Sequence, residues 1–387
     1  MKVDVSDRGL ATVFGLLSGG GHEARLVGGA VRDMLRGERP KDMDVATDAL
    51  PERVVALATA AGHRVIETGL RHGTVTVMAN GVPYEVTTLR MDVETDGRHA
   101  RVEYISDFKA DASRRDFTIN AMSADPSGKV FDYFGGHPDL VSGTVRFVGV
   151  ADDRIAEDYL RILRFFRFRA RFGAPGKEGD IEAVRRGVPG LARISAERIW
   201  NEVSRIVALP RGMEQVSAMR DTGVARAIGL EFDPSRLSAA AKAVAAGASP
   251  GSALGVLLAD EGRAERLVLS WKTSNPEAQD MAVAASVASS PESSPGYWLG
   301  MAADGIPVDR LAPVLAATGR EDAAAALRRG VPVFPLRGRD LVDSGFEAGP
   351  ALGAMLAQAR AQWKDSGFSA TREDLLSALG AISGRRP

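Results

Sequence analysis

Leu26-Val27-Gly28-Gly29-Ala30-Val31-Arg32-Asp33, and shortly after it Lys41-Asp42-Met43-Asp44-Val45-Ala46, set out a strand, a turn, a helix and a second strand. Glu23 to Val27 is expected as a short strand, Gly28-Gly29 as a tight turn and Ala30 to Arg36 as the start of a helix. Glycine lets the backbone approach a ligand closely, and the free amides of a helix start favour phosphate. Arg32 adds a fixed positive charge nearby. If Lys41 to Ala46 is a strand, Asp42 and Asp44, two apart, share a face.

Two carboxylates on one face are hard oxygen ligands of the kind that suits Mg²⁺, which keeps waters and substrate phosphate oxygens in its shell. Two such ions can activate an attacking hydroxyl and stabilise a leaving pyrophosphate. An Asp-x-Asp alone more often decorates a solvated loop, and a Gly-Gly before a helix is usually a plain turn. The ordered combination is much more specific, and it points to nucleotidyl transfer.

The chain has 387 residues, 45% of them hydrophobic, enough for two or three domains. It contains no run of about 18 uncharged apolar residues, so no transmembrane helix is expected. Leu10 to Leu17 reads as a packing helix and not as a signal peptide. The absence of cysteine excludes disulfides and thiolate-held metal centres and fits a cytoplasmic protein. The five histidines show no metal-ligand spacing. With a formal net charge of −1, any nucleic-acid contact must come from local basic clusters.

Downstream, Asp48 and Pro51 open a helix that stops at Gly62, and His63 to Glu67 follows as a strand. Thr74 to Met78 and Tyr84 to Leu89 flank Asn80-Gly81, a hairpin signal. The result is a small mixed sheet with helices on one side. Arg90 to Asp107, containing Asp96-Gly97-Arg98, reads as a loop, and Ser113 to Met122 as a helix entry carrying Arg114, Arg115 and Asp116. Val130 to Phe134 and Val145 to Val148 are candidates for the sheet edge, closing a first domain near residue 150. From Arg154 on, the pattern is helical and rich in alanine and arginine. Connections are expected near Gly173 to Gly179, Ala248 to Gly251 and Ser289 to Gly296.

Arg154 to Phe172 reads as one amphipathic helix with Ile155, Ala156, Tyr159, Ile162, Leu163, Phe166 and Ala170 on its apolar face. Glu157, Arg161, Arg164 and Arg171 lie opposite, with Asp158 and Arg167 on the flanks. This is either a solvated basic face or a surface on which clustered guanidinium groups await an anion. Asp158 and Arg161, spaced i and i+3, have heads within reach of a common ligand. Ionised aspartate accepts hydrogen bonds and arginine donates them. Cytosine pairs an N4 donor with an N3 acceptor, and adenine an N6 donor with N1. The same Asp–Arg pair would read both and leave groups of uracil or guanine unpaired.

These segments resemble the class II tRNA nucleotidyltransferase and bacterial poly(A) polymerase family, most closely its CCA-adding members. The likeness runs through Leu26 to Asp33, Lys41 to Thr47, His72-Gly73-Thr74-Val75, Glu85 to Arg90, Arg114 to Ala121, Arg146 to Gly149, Arg154 to Arg164 and Ile194 to Arg198. It thins beyond about residue 230, although Pro335 to Leu341 and Gly349-Pro350 look like the family's tail. The resemblance implies an α+β protein with a polymerase β-like nucleotidyltransferase head over residues 1–150. All-α neck (151–230), body (231–335) and tail (336–387) domains would follow.

It further implies Gly28, Gly29 and Arg32 at the nucleotide triphosphate, and Asp42 and Asp44 as catalytic Mg²⁺ ligands. Arg115 and Asp116 would lie at the ribose, Asp158 and Arg161 at the base, and Arg164 and Arg167 would support the nucleotide and its phosphates. The implied substrates are tRNA, CTP and ATP, with no membrane and no obligate protein partner. Poly(A) addition, or addition of CC or A only, are alternatives with the same head; a non-catalytic RNA-binding module is the reading from another class. Phe165-Phe166 replaces smaller residues common in the family, and on the wheel Phe165 falls where it would crowd or stack on a nucleotide. Glu85 occupies a strand where related folds sometimes place a third metal carboxylate, and the expectation here is a strand-edge residue. Trp363 is expected in a core.

Overall fold

The computed structural model describes residues 1–67, 69–70, 73–95, 100–173 and 178–382. His72, His99, Asp96-Gly97-Arg98 and part of the connection after Gly173 lie outside the described residues. The chain divides into two compact units, Met1–Leu230 and Glu231–Pro387.

In the first unit the strands are β1 (Ala24–Val27), β2 (Asp44–Thr47), β3 (Arg64–Ile66), β4 (Thr74–Ala79), β5 (Val82–Thr88), β6 (Arg90–Thr95), β7 (Ala100–Tyr104), β8 (Ser123–Ala124) and β9 (Val130–Phe131). Seven of them form one mixed sheet in the order β3-β4-β5-β2-β1-β8-β9. β2 runs parallel to β5, with Asp44 opposite Glu85, and antiparallel to β1. The Asn80-Gly81 turn joins β4 to β5 with both residues at positive φ, as a tight hairpin turn requires.

Helices α1 (Arg8–Gly19) and α3 (Pro51–Ala60) pack on the sheet, and α2 (Gly29–Leu35) links β1 to the segment before β2. Gly9 of α1 meets β5 directly: a Cβ there would sit 2.2 Å from the Tyr84 hydroxyl, which donates to Asp7 at 2.5 Å. Burial and that hydrogen bond push the Tyr84 phenol up to about 12. The remaining helices of this unit are α4 (Phe108–Ser113), α5 (Gly136–Ser142), α6 (Ala151–Glu157), α7 (Leu160–Phe172), α8 (Glu178–Gly187), α9 (Ala196–Val207), α10 (Gly212–Asp221) and α11 (Val224–Ala227).

Several local expectations need correction. Arg90 to Asp107 is not an unpatterned loop, because β6 and β7 pair as a two-stranded sheet. The helix near Ser113 ends there, and Thr118–Asn120 is a single 3-10 turn. Val130–Phe131 does close the sheet edge, but of Val145 to Val148 only Phe147 bridges, to Phe117. Arg154 to Phe172 is two helices, broken at Asp158 with extended backbone (φ −152°, ψ 105°). The apolar residues of α7 are buried, Phe165 among them, except the half-buried Phe172 at its end, whereas Ala156 is exposed.

The second unit is helical throughout its described residues. It contains α12 (Leu237–Ala245), α13 (Pro250–Leu258), α14 (Glu261–Trp271), α15 (Asn275–Ser289), α16 (Pro295–Ala303), α17 (Val308–Ala317) and α18 (Glu321–Arg329). After these come α19 (Gly338–Asp343), α20 (Pro350–Asp365) and α21 (Arg372–Ile382). The last three enclose a separate cluster around Trp363, Leu341, Leu375 and Leu379.

Candidate nucleotidyl-transfer site

Gly28 (φ 70°) turns the chain from β1 into α2, and a Cβ there would lie 2.8 Å from Arg115 Nη1. The turn therefore needs glycine for its backbone, and a side chain there would have to displace the end of Arg115. One turn on, Arg32 is almost fully buried, donating to Asn120 Oδ1 at 2.5 Å and to Asp33 Oδ1 at 2.8 Å. Burial pulls its guanidinium below the ordinary value while Asp33 opposes the shift.

β2 begins at Asp44, so Asp42 sits in the exposed segment before the strand and not within it. Burial raises the Asp44 carboxyl, and the neighbouring Glu85 and Asp42 charges raise it further against the pull of Arg115. Crowded carboxylates of this kind are relieved by a cation, and their oxygen donors fit a divalent one. Among the described residues no group of three or more carboxylates and histidines is gathered closely enough to hold a metal unaided. Two protein carboxylates plus substrate oxygens is therefore the donor set on offer.

The Arg114-Arg115-Asp116 segment supplies one wall. Asp111 accepts from Arg114 at 2.7 Å and Arg115 at 3.2 Å; burial pushes its carboxyl up, but the two guanidinium groups outweigh this and hold it low. Asp116 is 8% exposed, and both its oxygens are engaged. Oδ1 accepts from Phe117 N and Asn120 Nδ2, and Oδ2 accepts from Arg164 Nε at 2.8 Å and Nη2 at 2.5 Å. Whatever else Asp116 does, it ties the head segment to α7.

α6 and α7 supply the opposite wall. The break places Asp158 just ahead of α7, where Oδ1 accepts from Leu160 N at 3.0 Å and Oδ2 from Arg198 Nη2 at 2.7 Å. Arg161 donates to Glu157 at 2.6 Å and to the Arg154 and Arg114 carbonyls, both at 2.9 Å. Asp158 and Arg161 thus share the wall without pairing to each other. Arg167 donates to Glu202 at 2.6 Å. The Phe168 ring has Arg32, Arg164 and Arg167 at 5.3, 5.6 and 4.6 Å from its centroid, so one aromatic ring is shared by three guanidinium groups.

Together these residues line a cleft of about 510 Å³. It brings together Gly28, Gly29, Arg32, Asp44, Arg115, Asp116, Asp158, Arg161, Arg164 and Arg167, and leaves Asp42 outside its lining. Phe165 is not in it: the ring stacks on Phe147 (5.5 Å, 12°) in the core, so the expected crowding of a nucleotide does not arise. Arg114, Asn120, Phe168 and Arg198 also line the cleft, beyond the site residues expected from the sequence. Their partners lie up to 88 residues away, as Arg32 does from Asn120, and no spacing rule signals such a pairing.

A phosphate-sized turn, an acidic pair and an arginine-lined cleft on a mixed sheet define a nucleotidyltransferase. Residues 24–146 match the family described as poly A polymerase head domain. The chain is 37% identical to mouse mitochondrial CCA tRNA nucleotidyltransferase 1 over 96% of its own length and 89% of that protein's. It is 40% identical to the Geobacillus kaustophilus CCA-adding enzyme over 53% of this chain and 50% of that one. The solved Bacillus stearothermophilus CCA-adding enzyme in complex with CTP superposes with a TM-score of 0.80 at 28% identity, covering 97% of each chain. The chain belongs to the CCA tRNA nucleotidyltransferase family.

Proposed function

We propose that this protein adds C, C and A in turn to the 3′ end of tRNA, using CTP and ATP without a nucleic-acid template and releasing pyrophosphate each time. The observation that carries the reading is one cleft lined by seven arginines together with Asp44, Asp116 and Asp158. In each cycle the terminal 3′-oxygen forms a bond to the α-phosphorus, the bond to the pyrophosphate oxygen breaks, and the hydroxyl proton passes to solvent. Such transfer depends on positioning and charge neutralisation more than on covalent help.

Asp42 and Asp44 would hold Mg²⁺, which when bound lowers the pKa of the attacking hydroxyl and neutralises charge on the leaving group. Gly28 and Gly29 let phosphate oxygens approach the backbone, and Arg32, Arg164 and Arg167 balance their charge. Arg115 and Asp116 border the ribose. Asp158 accepts from the exocyclic amine of cytosine or adenine while Arg161 donates to the adjacent ring nitrogen. Arg198 and Glu157 hold these two side chains apart and ready, which limits the reorganisation needed on binding. Glu85, opposite Asp44 in the β2–β5 register, adds negative potential at the acidic pair. In this reading residues 1–150 form the head, 151–230 the neck, and 231–335 and 336–387 the body and tail that grip the tRNA. The compartment we assign is the cytoplasm, on the cysteine-free composition, and localisation of a tagged chain tests it. Among the described residues no helix is long and apolar enough to cross a membrane.

The test is incubation with Mg²⁺ and tRNAs ending before CCA, after C and after CC, offering each labelled nucleotide alone and then mixed. Two C followed by one A, with arrest, is expected. A long adenylate ladder would replace the reading with poly(A) polymerase, and a lone CC or A product with divided labour. Asp42→Asn should lower turnover by at least about a thousandfold, as loss of metal-assisted charge stabilisation implies, with an unchanged melting temperature. Retained turnover refutes the metal assignment.

A further inference from the structure

A second hollow, of about 630 Å³, opens beside the nucleotide cleft, and Gly29, Arg32, Asp44, Arg167 and Phe168 border both. Asp42 and Lys41 line this second space only. From α9 and its end it receives Arg205, Ala208 and Leu209, and from α7 Arg171.

Arg205 is the residue that calls for a ligand. It is exposed, borders the hollow and has no ion-pair partner among the described residues, whereas Arg167 is paired to Glu202 and Arg171 to Asp33 and Glu38. Its charge also bears on Arg167: burial first, then Arg164 and Arg205, pull that guanidinium down against Glu202. Like charges converging beside an acidic pair are stabilised when an anion lies among them.

In nucleotidyl transfer the attacking and leaving oxygens lie on opposite sides of the α-phosphorus. With the incoming nucleoside in the cleft, a hollow sharing Asp44 takes either the acceptor's 3′ end or the departing pyrophosphate. Two features favour the acceptor. The volume is in the range that encloses a whole small-molecule ligand, and Ala208 and Leu209 offer apolar surface that a sugar or base uses and a bare pyrophosphate does not.

Resting on the nucleotidyl-transfer reading, we propose that this hollow seats the 3′-terminal nucleotide of the acceptor RNA, with Arg205 contacting the phosphodiester that precedes it. The guanidinium makes a charge-assisted contact to backbone phosphate and carries no sequence information.

Steady-state kinetics of Arg205→Ala and Arg205→Lys test this, with forward reactions varied in tRNA and in CTP and reverse reactions varied in pyrophosphate. Arg205→Ala should raise the KM for tRNA about tenfold, as loss of a charge-assisted hydrogen bond implies, with Arg205→Lys recovering much of it. The KM values for CTP and pyrophosphate should hold steady. The dependence of log KM for tRNA on log salt should also fall by about 0.7 to 0.9 in slope, because the alanine variant neutralises one phosphate fewer. A rise in the pyrophosphate KM with the tRNA KM unmoved would assign the hollow to the leaving group. No change in any KM would show that it is unused. Wild-type protein that transfers no nucleotide to any tRNA would instead remove the activity on which the inference rests.

Discussion

Asp116 carries four donors on two oxygens in a site almost closed to water, two of them from Arg164 of α7. Burial pushes its carboxyl up, but Arg164 and the hydrogen bonds from Asn120, Arg164 and Phe117 outweigh this and hold it below the usual range. Removing one partner of such a pair strands a buried charge. Arg164→Ala should therefore cost about 3 kcal/mol, read from urea unfolding of the full chain. A folded-state carboxyl held low contributes stability that is present above the unfolded value, near about 3.9, and disappears as pH falls through the folded one. Asp111 and Asp116 are both of this kind, so the melting temperature should drop on acidification below about pH 4. The drop should be shallower in Arg164→Ala, where Asp116 is without its cation. An identical acid limb in both proteins would rule out the pair as its source. Gly28, Gly29, Arg32 and Asp44, which line one cleft, are legible in the sequence because their spacing along the chain is itself the signal. The shared strand face expected of Asp42 and Asp44 is not met, because β2 starts only at Asp44. The Asp116–Arg164 link is not legible, since it joins residues 48 apart and depends on tertiary closure.

At the scale of elements, the same contrast appears in α6 and α7. The 3.6-residue period continues across Asp158, so periodicity alone reads one helix. The break arises because the Asp158 carboxylate takes the Leu160 amide and competes with the helical ladder. β6 and β7, by contrast, do alternate, with Met91 and Val93 and then Ala100, Val102 and Tyr104 set between polar residues, but the runs are short and heavily charged and so read as loop. Glycines inside helices show how packing sets the sign of one substitution. Gly255 of α13 lies against α15: a Cβ there would fall 2.3 Å from the Met281 carbonyl oxygen and 2.7 Å from Ala284 Cβ. Gly255→Ala should force the two helices apart and cost about 1–3 kcal/mol. Gly353 of α20 has nothing within 4 Å of its Cβ position, so Gly353→Ala should stabilise by roughly 0.5–1 kcal/mol through the unfolded chain. Thermal melts of the two variants should move in opposite directions; movement in the same direction would mean that the α13–α15 packing is looser than its geometry implies.

For the whole molecule, a net charge of −1 conceals a strong local imbalance: seven arginines and three aspartates line the nucleotide cleft. Composition cannot reveal this, because acidic residues elsewhere cancel the sum. Every lining residue of the cleft and of the neighbouring hollow falls within Met1–Leu230. On the proposed function, nucleotide recognition is a property of the first unit, whereas a tRNA offers phosphates far beyond its terminal residue. The chain cut after Leu230 should bind CTP with a Kd within about threefold of the full-length value, since the residues that meet the nucleotide are all retained. Its KM for tRNA should rise by about tenfold or more, because fewer phosphates are neutralised at physiological salt. Calorimetric titration with CTP and primer extension on the same folded fragment separate the two effects. If the fragment keeps its circular dichroism and melting transition yet fails to bind CTP, the second unit must take part in building the cleft. If it binds CTP and extends tRNA as well as the full chain does, then Glu231–Pro387 has no part in gripping the substrate.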